Sequence, residues 1–153
     1  MYSFGVGITY AELAATANAI AAWLQAQDLN RGDRVAIMLP NIAAYFPIVF
    51  GILKAGFTVV NVNPLYTPSE LSHQLKDSGA RIIFVMSRFE PTVKQAHVGT
   101  PLEKVVRVKP GDLLGLKGHL VNLASWSKSP VARERQVEDA LDFAGIVKAG
   151  RIR

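Results

Sequence analysis

The sequence predicts a doubly wound α/β fold built on a parallel sheet, and three observations support this class. Four short apolar runs are separated by stretches that have helical periodicity. The runs are rich in valine and isoleucine, as is typical of strands that are buried on both faces. Residues 59–86 also have the pattern of a strand, a capped helix and a second strand, and this crossover requires the two strands to be parallel.

The first predicted elements are a helix and a strand. Thr9 and Glu12 form the capping-box pattern, and apolar residues follow at spacings of three and four, so we expect a helix over residues 10–27. Residues 29–33 have the composition of a turn. Residues 34–39 then predict a buried strand, which ends before a proline.

The second helix is predicted over residues 42–55, with Asn41 as its cap. It is apolar nearly all round, which predicts that protein covers every side of it. Pro47 is expected to bend the helix or to loosen its first turn. Residues 57–62 then predict a second buried strand, rich in valine.

The third helix has the clearest signals in the chain. Thr67 and Glu70 form a second capping box, and Pro68 suits the first helical position, so the helix should start there. Gly79 can adopt the left-handed conformation that closes the last turn. An apolar run at residues 82–86 predicts the third strand.

Two shorter elements complete the regular part of the chain. Residues 90–97 predict a short helix, and residues 104–108 predict the fourth strand. After Pro110 the apolar periodicity weakens and glycines interrupt the pattern. We therefore divide the chain into an α/β subdomain, residues 1–110, and a linker-like, partly irregular tail, residues 111–153.

Length and composition limit the classes of protein that remain. A chain of 153 residues suits one domain, and the absence of cysteine excludes disulfides, thiolate metal sites and cysteine nucleophiles. The start of the chain lacks the pattern of a secretory signal, and the longest apolar run, residues 42–53, is shorter than the roughly 20 residues that span a bilayer. These observations predict a cytoplasmic protein.

The positive charge is concentrated in the second part of the chain. The formal net charge is +5, and residues 101–153 contain ten Lys and Arg against six Asp and Glu. Such a surface could attract phosphates or the anionic inner face of the membrane as a peripheral contact. The basic residues are scattered singly, however, so we expect no binding of nucleic acid.

No pattern of residues predicts a catalytic or metal site. The sequence has no nucleophile elbow and no His-Glu-x-x-His zinc pattern. Residues 111–118 resemble a phosphate loop only loosely, since the spacing is one residue short and Gly118 replaces the hydroxyl residue that would hold magnesium. Glu70 and His73 are three residues apart on one helix, but a di-metal site requires more carboxylates. We therefore predict no catalytic, cofactor-binding or metal residue in this chain.

One loop is the best candidate for ligand contact. Asn61, Asn63 and Tyr66 follow the second predicted strand, and parallel α/β sheets bind ligands at the carboxyl ends of their strands. The alternative is that the two asparagine side chains stabilise the turn that precedes Thr67, which is the favoured interpretation.

Several motifs together resemble a known family. The stretches that carry the resemblance are residues 8–13, 32–41, 50–56, 59–71 and 77–80. In order and register they are similar to the amino-terminal part of bacterial long-chain fatty-acid–CoA ligases, which are AMP-binding, adenylate-forming enzymes. The most specific string is Asn-Val-Asn-Pro-Leu-Tyr-Thr-Pro, residues 61–68. The resemblance covers about residues 8–110.

The resemblance implies an activity that this chain lacks the residues to perform. In that family a fatty-acid carboxylate attacks ATP in the presence of Mg²⁺ to form an acyl adenylate, and CoA then displaces AMP. The ATP loop and the catalytic lysine of the family follow the region that is matched here, so no functional residue can be carried over. The resemblance thus implies a fragment that is inactive alone, whose complete enzyme uses fatty acid, ATP, Mg²⁺ and CoA.

Three other interpretations stay open at the level of sequence. The chain could be a free-standing nucleotide-binding module that uses the loop at residues 61–66. It could be a non-catalytic interaction protein whose apolar surface binds a partner or a second copy of itself. It could also be the product of a truncated or split gene that does nothing by itself, with a complementary carboxyl-terminal fragment as a possible partner.

Overall fold

The computed structural model describes residues 2–3, 6–115, 118, 120–122 and 137–151. The elements in these residues are β1 (Tyr2–Ser3), β2 (Val6–Gly7), α1 (Tyr10–Gln25), β3 (Arg34–Met38), α2 (Tyr45–Lys54), β4 (Thr58–Asn61), α3 (Pro68–Ser78), β5 (Ile82–Met86), a 3₁₀ turn (Ser87–Phe89), α4 (Glu90–Ala96), β6 (Lys104–Val108), β7 (Leu141–Asp142) and α5 (Phe143–Arg151).

A five-stranded parallel sheet organises the fold, as the sequence predicts. Its order is β4-β3-β5-β6-β7, and each adjacent pair is parallel. The winding direction reverses between β3 and β5, and open α/β sheets place a crevice at the carboxyl ends of the strands where this reversal occurs. β1 and β2 form a separate antiparallel pair.

Helices cover both faces of the sheet and create two apolar cores. All five residues of β5 are buried, and they alternate between the two faces. Phe84 points into the core that α1, α2 and α5 cover, whereas Ile83 and Val85 point into the core under α3 and α4. This arrangement confirms the doubly wound class.

Both predicted capping boxes are present. The Thr9 hydroxyl accepts a hydrogen bond from the amide of Glu12, and the Thr67 hydroxyl accepts one from the amide of Glu70. Each glutamate carboxylate in turn accepts a hydrogen bond from the amide of its threonine. Gly79 closes α3 with a φ of 66°. Because every one of these partners lies within a few residues along the chain, local sequence was sufficient to predict them.

The capping boxes should make stability depend on pH at the acid side. Hydrogen bonds from the backbone amide and then the hydroxyl of Thr67 hold the pKa of Glu70 below its ordinary value. A carboxyl group whose pKa is lower in the folded state stabilises that state at pH values above its ordinary pKa. This stabilisation is lost as the pH falls through the folded-state pKa. Glu70→Gln, which keeps the acceptor but does not titrate, should therefore flatten the dependence of the free energy of unfolding between about pH 5 and pH 2.

The measurement is urea denaturation at a series of pH values. Glu12→Gln serves as a replicate, since Thr9 depresses the pKa of Glu12 through the same two bonds. Variants that retain the full acid-side slope of the wild type would contradict the interpretation.

The start of α2 differs from the prediction. The helix begins at Tyr45, its N-cap is Ala44, and Asn41 is exposed and provides no cap. The preceding residues form a turn instead, with the Ile42 amide donating to Pro40 O at 2.8 Å. Pro47 therefore lies in the first turn, where an amide hydrogen would have no partner within the helix, and the helix tolerates it there.

The expectation that protein covers every side of α2 is wrong for one face. Phe46, Phe50 and Leu53 are 48%, 45% and 54% exposed. Their spacing of four and three residues places them on one stripe. Ile48 and Ile52 are fully buried on the side facing the sheet.

β4 is also less buried than the sequence predicts. It lies at one edge of the sheet with β3 as its neighbour, and Thr58 and Asn61 are exposed. Valine-rich sequence is compatible with either an edge or a central position, so strand order decided the burial of this strand.

Regular structure also forms within the predicted tail. β7 pairs with β6, and α5 packs against α1 so closely that a Cβ at Gly150 would collide with the Ala19 carbonyl oxygen. The sequence analysis did not predict these two elements. The domain boundary at residue 110 stays a prediction.

Candidate functional site

The asparagines of the β4–α3 loop have structural partners. The Tyr45 hydroxyl donates to Asn61 Oδ1 at 3.0 Å, and Gln74 Nε2 donates to the Asn61 carbonyl oxygen at 3.0 Å. Asn63 Oδ1 accepts the amide of Leu65 at 3.0 Å, which forms an Asx turn. The geometry therefore supports the turn-stabilising role of both side chains over a role in ligand binding.

A shallow depression of about 490 Å³ runs along the outer face of α3. The residues that line it are Tyr66, Ser69, Glu70, His73, Gln74 and Asp77. Glu70 is already engaged in the cap, and His73 is exposed. Gln74 Oε1 is buried without a hydrogen-bond partner. The depression brings together the predicted Glu70 and His73, but no group of three potential metal ligands occurs in the described part of the chain.

In the glycine-rich stretch that follows β6, the described backbone groups contact one another and nearby side chains. The Gly111 amide donates to Asn122 Oδ1 at 2.7 Å, and a Cβ at Gly111 would collide with the Gly118 carbonyl oxygen. A phosphate loop instead needs free amides around an open space. Lys117, which the sequence pattern would use to contact a phosphate, lies outside the described residues.

A buried ion pair joins α4 to β6 at the carboxyl edge of the sheet. Arg107 binds Glu90 through two parallel bonds, Nε to Oε1 at 2.5 Å and Nη2 to Oε2 at 2.8 Å. Glu90 is fully buried, at 0% exposure. Hydrogen bonding of the Arg107 guanidinium to the Glu90 carboxylate, which accepts, is the main reason that the pKa of Arg107 is raised. Sequence reasoning missed this pair because its members are 17 residues apart and belong to different elements.

Two further groups extend this charged edge. Lys109 Nζ lies 3.1 Å from Asp142 Oδ1, at the end of β7. Asp112 Oδ2 accepts the Lys109 amide at 2.8 Å, and burial raises the pKa of the Asp112 carboxyl. A perturbed carboxyl can mark a functional site, but here its hydrogen bonds stabilise the loop after β6.

The chemistry available at this edge is ion pairing. The cations Arg107 and Lys109 face the carboxylates Glu90 and Asp142, so their charges are largely neutralised within the protein. Two threonine hydroxyls donate to carboxylates, Thr9 to Glu12 and Thr67 to Glu70, and both contacts belong to the helix-capping boxes. Among the described residues there is no helix of the length and apolar character needed to cross a bilayer.

The parallel, doubly wound sheet places the chain in the α/β class, and solved structures of two CoA ligases share this fold. The anthranilate CoA ligase AuaEII in complex with anthranoyl-AMP matches 97% of this chain and 24% of its own, with a TM-score of 0.75 and 21% identity. A benzoate CoA ligase from Burkholderia xenovorans LB400 matches 93% of this chain and 23% of its own, with a TM-score of 0.70 and 21% identity. At this identity the similarity shows the fold alone.

Sequence similarity identifies the family. Residues 1–143 match the AMP-binding enzyme family, and the chain belongs to it. It is 40% identical over 151 residues to the long-chain-fatty-acid–CoA ligase of Yersinia pestis, and 41% identical over 150 residues to that of Escherichia coli O157:H7. In both cases the match covers 97% of this chain and 27% of the relative, so the chain spans about a quarter of the length of these proteins.

Proposed function

We propose that this chain is the amino-terminal α/β scaffold of a long-chain fatty-acid–CoA ligase and that it is inactive alone. One observation carries the proposal: identity of 40% extends along 97% of the chain, yet the match covers only 27% of the relative. The region shared with these ligases is therefore one portion of a much longer enzyme.

The ion pairs at the carboxyl edge of the sheet support the proposal that the chain is inactive alone. Adenylation develops negative charge at a pentavalent phosphorus, which requires preorganised cations, amides or a metal aimed at it. Two cations at this edge, Arg107 and Lys109, are already neutralised by Glu90 and Asp142. The complete enzyme would bind fatty acid, ATP, Mg²⁺ and CoA through groups supplied by the rest of the polypeptide.

The exposed stripe on α2 supports a partner in the complete enzyme. Phe46, Phe50 and Leu53 form an apolar surface that a complementary carboxyl-terminal polypeptide would cover. A second copy of the chain, in a homodimer, is the alternative partner for this surface.

We propose that the protein is cytoplasmic and that the positive charge of the chain favours a peripheral contact with the inner face of the membrane.

The test is an assay of the purified chain with palmitate, ATP, Mg²⁺ and CoA. We expect neither AMP nor palmitoyl-CoA above the level of a protein-free control, while a full-length long-chain ligase under the same conditions forms both. Thioester formed in proportion to the concentration of the purified chain would overturn the proposal. Activity that appears only after addition of the carboxyl-terminal three quarters of a related ligase would support a complementary partner.

A further inference from the structure

The carboxyl-terminal unit, defined as residues 137–151, has little backbone pairing to the sheet. β7 contains two residues, and its register pairs Leu141 with Val106 and Asp142 with Arg107. Strands in globular proteins usually have 3–10 residues, so this ladder is short. Leu141 is 40% exposed, and β7 thus contributes no buried side chain. Other contacts must hold the unit in place.

The Glu90–Arg107 pair binds both backbone groups of Val137. The Val137 amide donates to Glu90 Oε2 at 3.4 Å, and Arg107 Nη2 donates to the Val137 carbonyl oxygen at 3.3 Å. These two side chains therefore make the hydrogen bonds to the Val137 backbone that a neighbouring strand would make in a sheet. A buried ion pair is stable only when further hydrogen bonds satisfy its charged groups, and Val137 supplies two of them. The ion pair and the docked unit consequently support each other.

Further ionic contacts join the unit to the sheet, and Arg107 makes one of them, with Nη1 3.9 Å from Asp142 Oδ1. Lys109 Nζ lies 3.1 Å from Asp142, and Lys94 Nζ lies 3.9 Å from Glu138. Both lysines belong to the sheet side, and both carboxylates belong to the unit. Since these side chains are more exposed than Glu90, solvent weakens their attraction, and the buried pair is the strongest of the ionic contacts.

α5 is coupled directly to these contacts. It begins at Phe143, immediately after the last residue of β7. Phe143, Ile146 and Val147 are buried in the core that α1 covers, and Gly150 meets the backbone of α1. No linker separates the strand from the helix, so movement of one is expected to carry the other with it.

We propose that the Glu90–Arg107 pair is a latch for the carboxyl-terminal unit, and that weakening it releases residues 137–151 from an otherwise folded sheet. The central strands β3 and β5 hold the rest of the sheet together through longer ladders and fully buried side chains. Release uncovers the outer edge of β6 and the apolar face of α5. The latch thereby makes this side of the sheet a surface that can open and close on its own.

The test uses Arg107→Lys, which keeps the positive charge. A lysine makes point contacts and cannot reproduce the two parallel bonds to Glu90 together with the bond to Val137. The matched control is Arg81→Lys, because Arg81 also binds a carboxylate through two bonds, to Glu103 at 2.7 and 3.0 Å, and does not contact the unit.

The readout exploits the absence of cysteine in the chain. A single cysteine is introduced either by Val147→Cys, in the unit, or by Val35→Cys, in β3, and both positions are buried. In the Arg107→Lys background, thiol labelling at position 147 should become about tenfold faster or more, while labelling at position 35 changes by less than about twofold. Hydrogen exchange across residues 137–151 should rise in parallel. Arg81→Lys should change neither labelling rate.

Four results would overturn the latch. Unchanged labelling at position 147 would mean that the pair does not hold the unit. Equal acceleration at positions 147 and 35, or failure of Arg107→Lys to fold, would mean that the pair supports the whole sheet. Faster exchange confined to residues 137–142, with α5 protected, would mean that strand and helix do not move together. Glu90→Gln, which keeps the shape of the side chain but removes its charge, should repeat the outcome of Arg107→Lys.

Discussion

Phe84→Ala is expected to lower the free energy of unfolding by about 3–5 kcal/mol. Phe84 lies in β5, the middle strand of the sheet, and is 0% exposed. Its ring packs edge to face against Trp23, with centroids 6.4 Å apart and an interplanar angle of 74°. Truncation removes this contact and leaves a cavity that strands on both sides prevent from collapsing. Urea denaturation of the full chain measures the loss.

The matched control is Phe50→Ala. Phe50 is the same residue type, lies on the exposed stripe of α2, and is 45% exposed. Its truncation should cost less than about 1 kcal/mol, since part of the ring is already in water and no closed cavity is created. Equal losses at the two positions would show that the sheet does not have the core described above.

Gly51→Val is expected to destabilise the chain by about 3 kcal/mol, through the contact of α1 with α2. A Cβ at Gly51 would lie 2.7 Å from both Cβ and Cγ2 of Ile20, and 3.1 Å from the Ala17 carbonyl oxygen. The Cβ and the carbonyl belong to the rigid part of α1, so the two helices must separate to accept the added atoms. Thermal and urea denaturation should both report the loss.

Gly145→Val separates this packing effect from helix propensity. Gly145 is also helical, in α5, and a Cβ there would meet nothing within 4 Å. Valine and glycine differ only modestly in helix propensity, so the change should stay within about 0.5 kcal/mol. If Gly51→Val is as stable as the wild type, the close approach of α1 and α2 is not required for folding.

Sequence alone determined the elements whose signals are local. The capping box of Thr67 and Glu70, the closing Gly79 and the strand at residues 82–86 could all be predicted, because the partners lie within one helical turn or within one apolar run. The crossover between two such strands then predicted the parallel sheet. The family resemblance followed from the same local strings, and the match of residues 1–143 bears it out.

Tertiary structure decided which positions are edges, which faces stay exposed and which charges meet. The burial of β4 depends on its place in the strand order, and the exposure of Phe50 depends on what packs beside α2. Glu90 meets Arg107 across 17 residues and Val137 across 47. A hydrogen bond forms wherever the fold brings a donor to an acceptor, whereas a sequence pattern predicts only the pairs that the geometry of a single helix or turn already brings together.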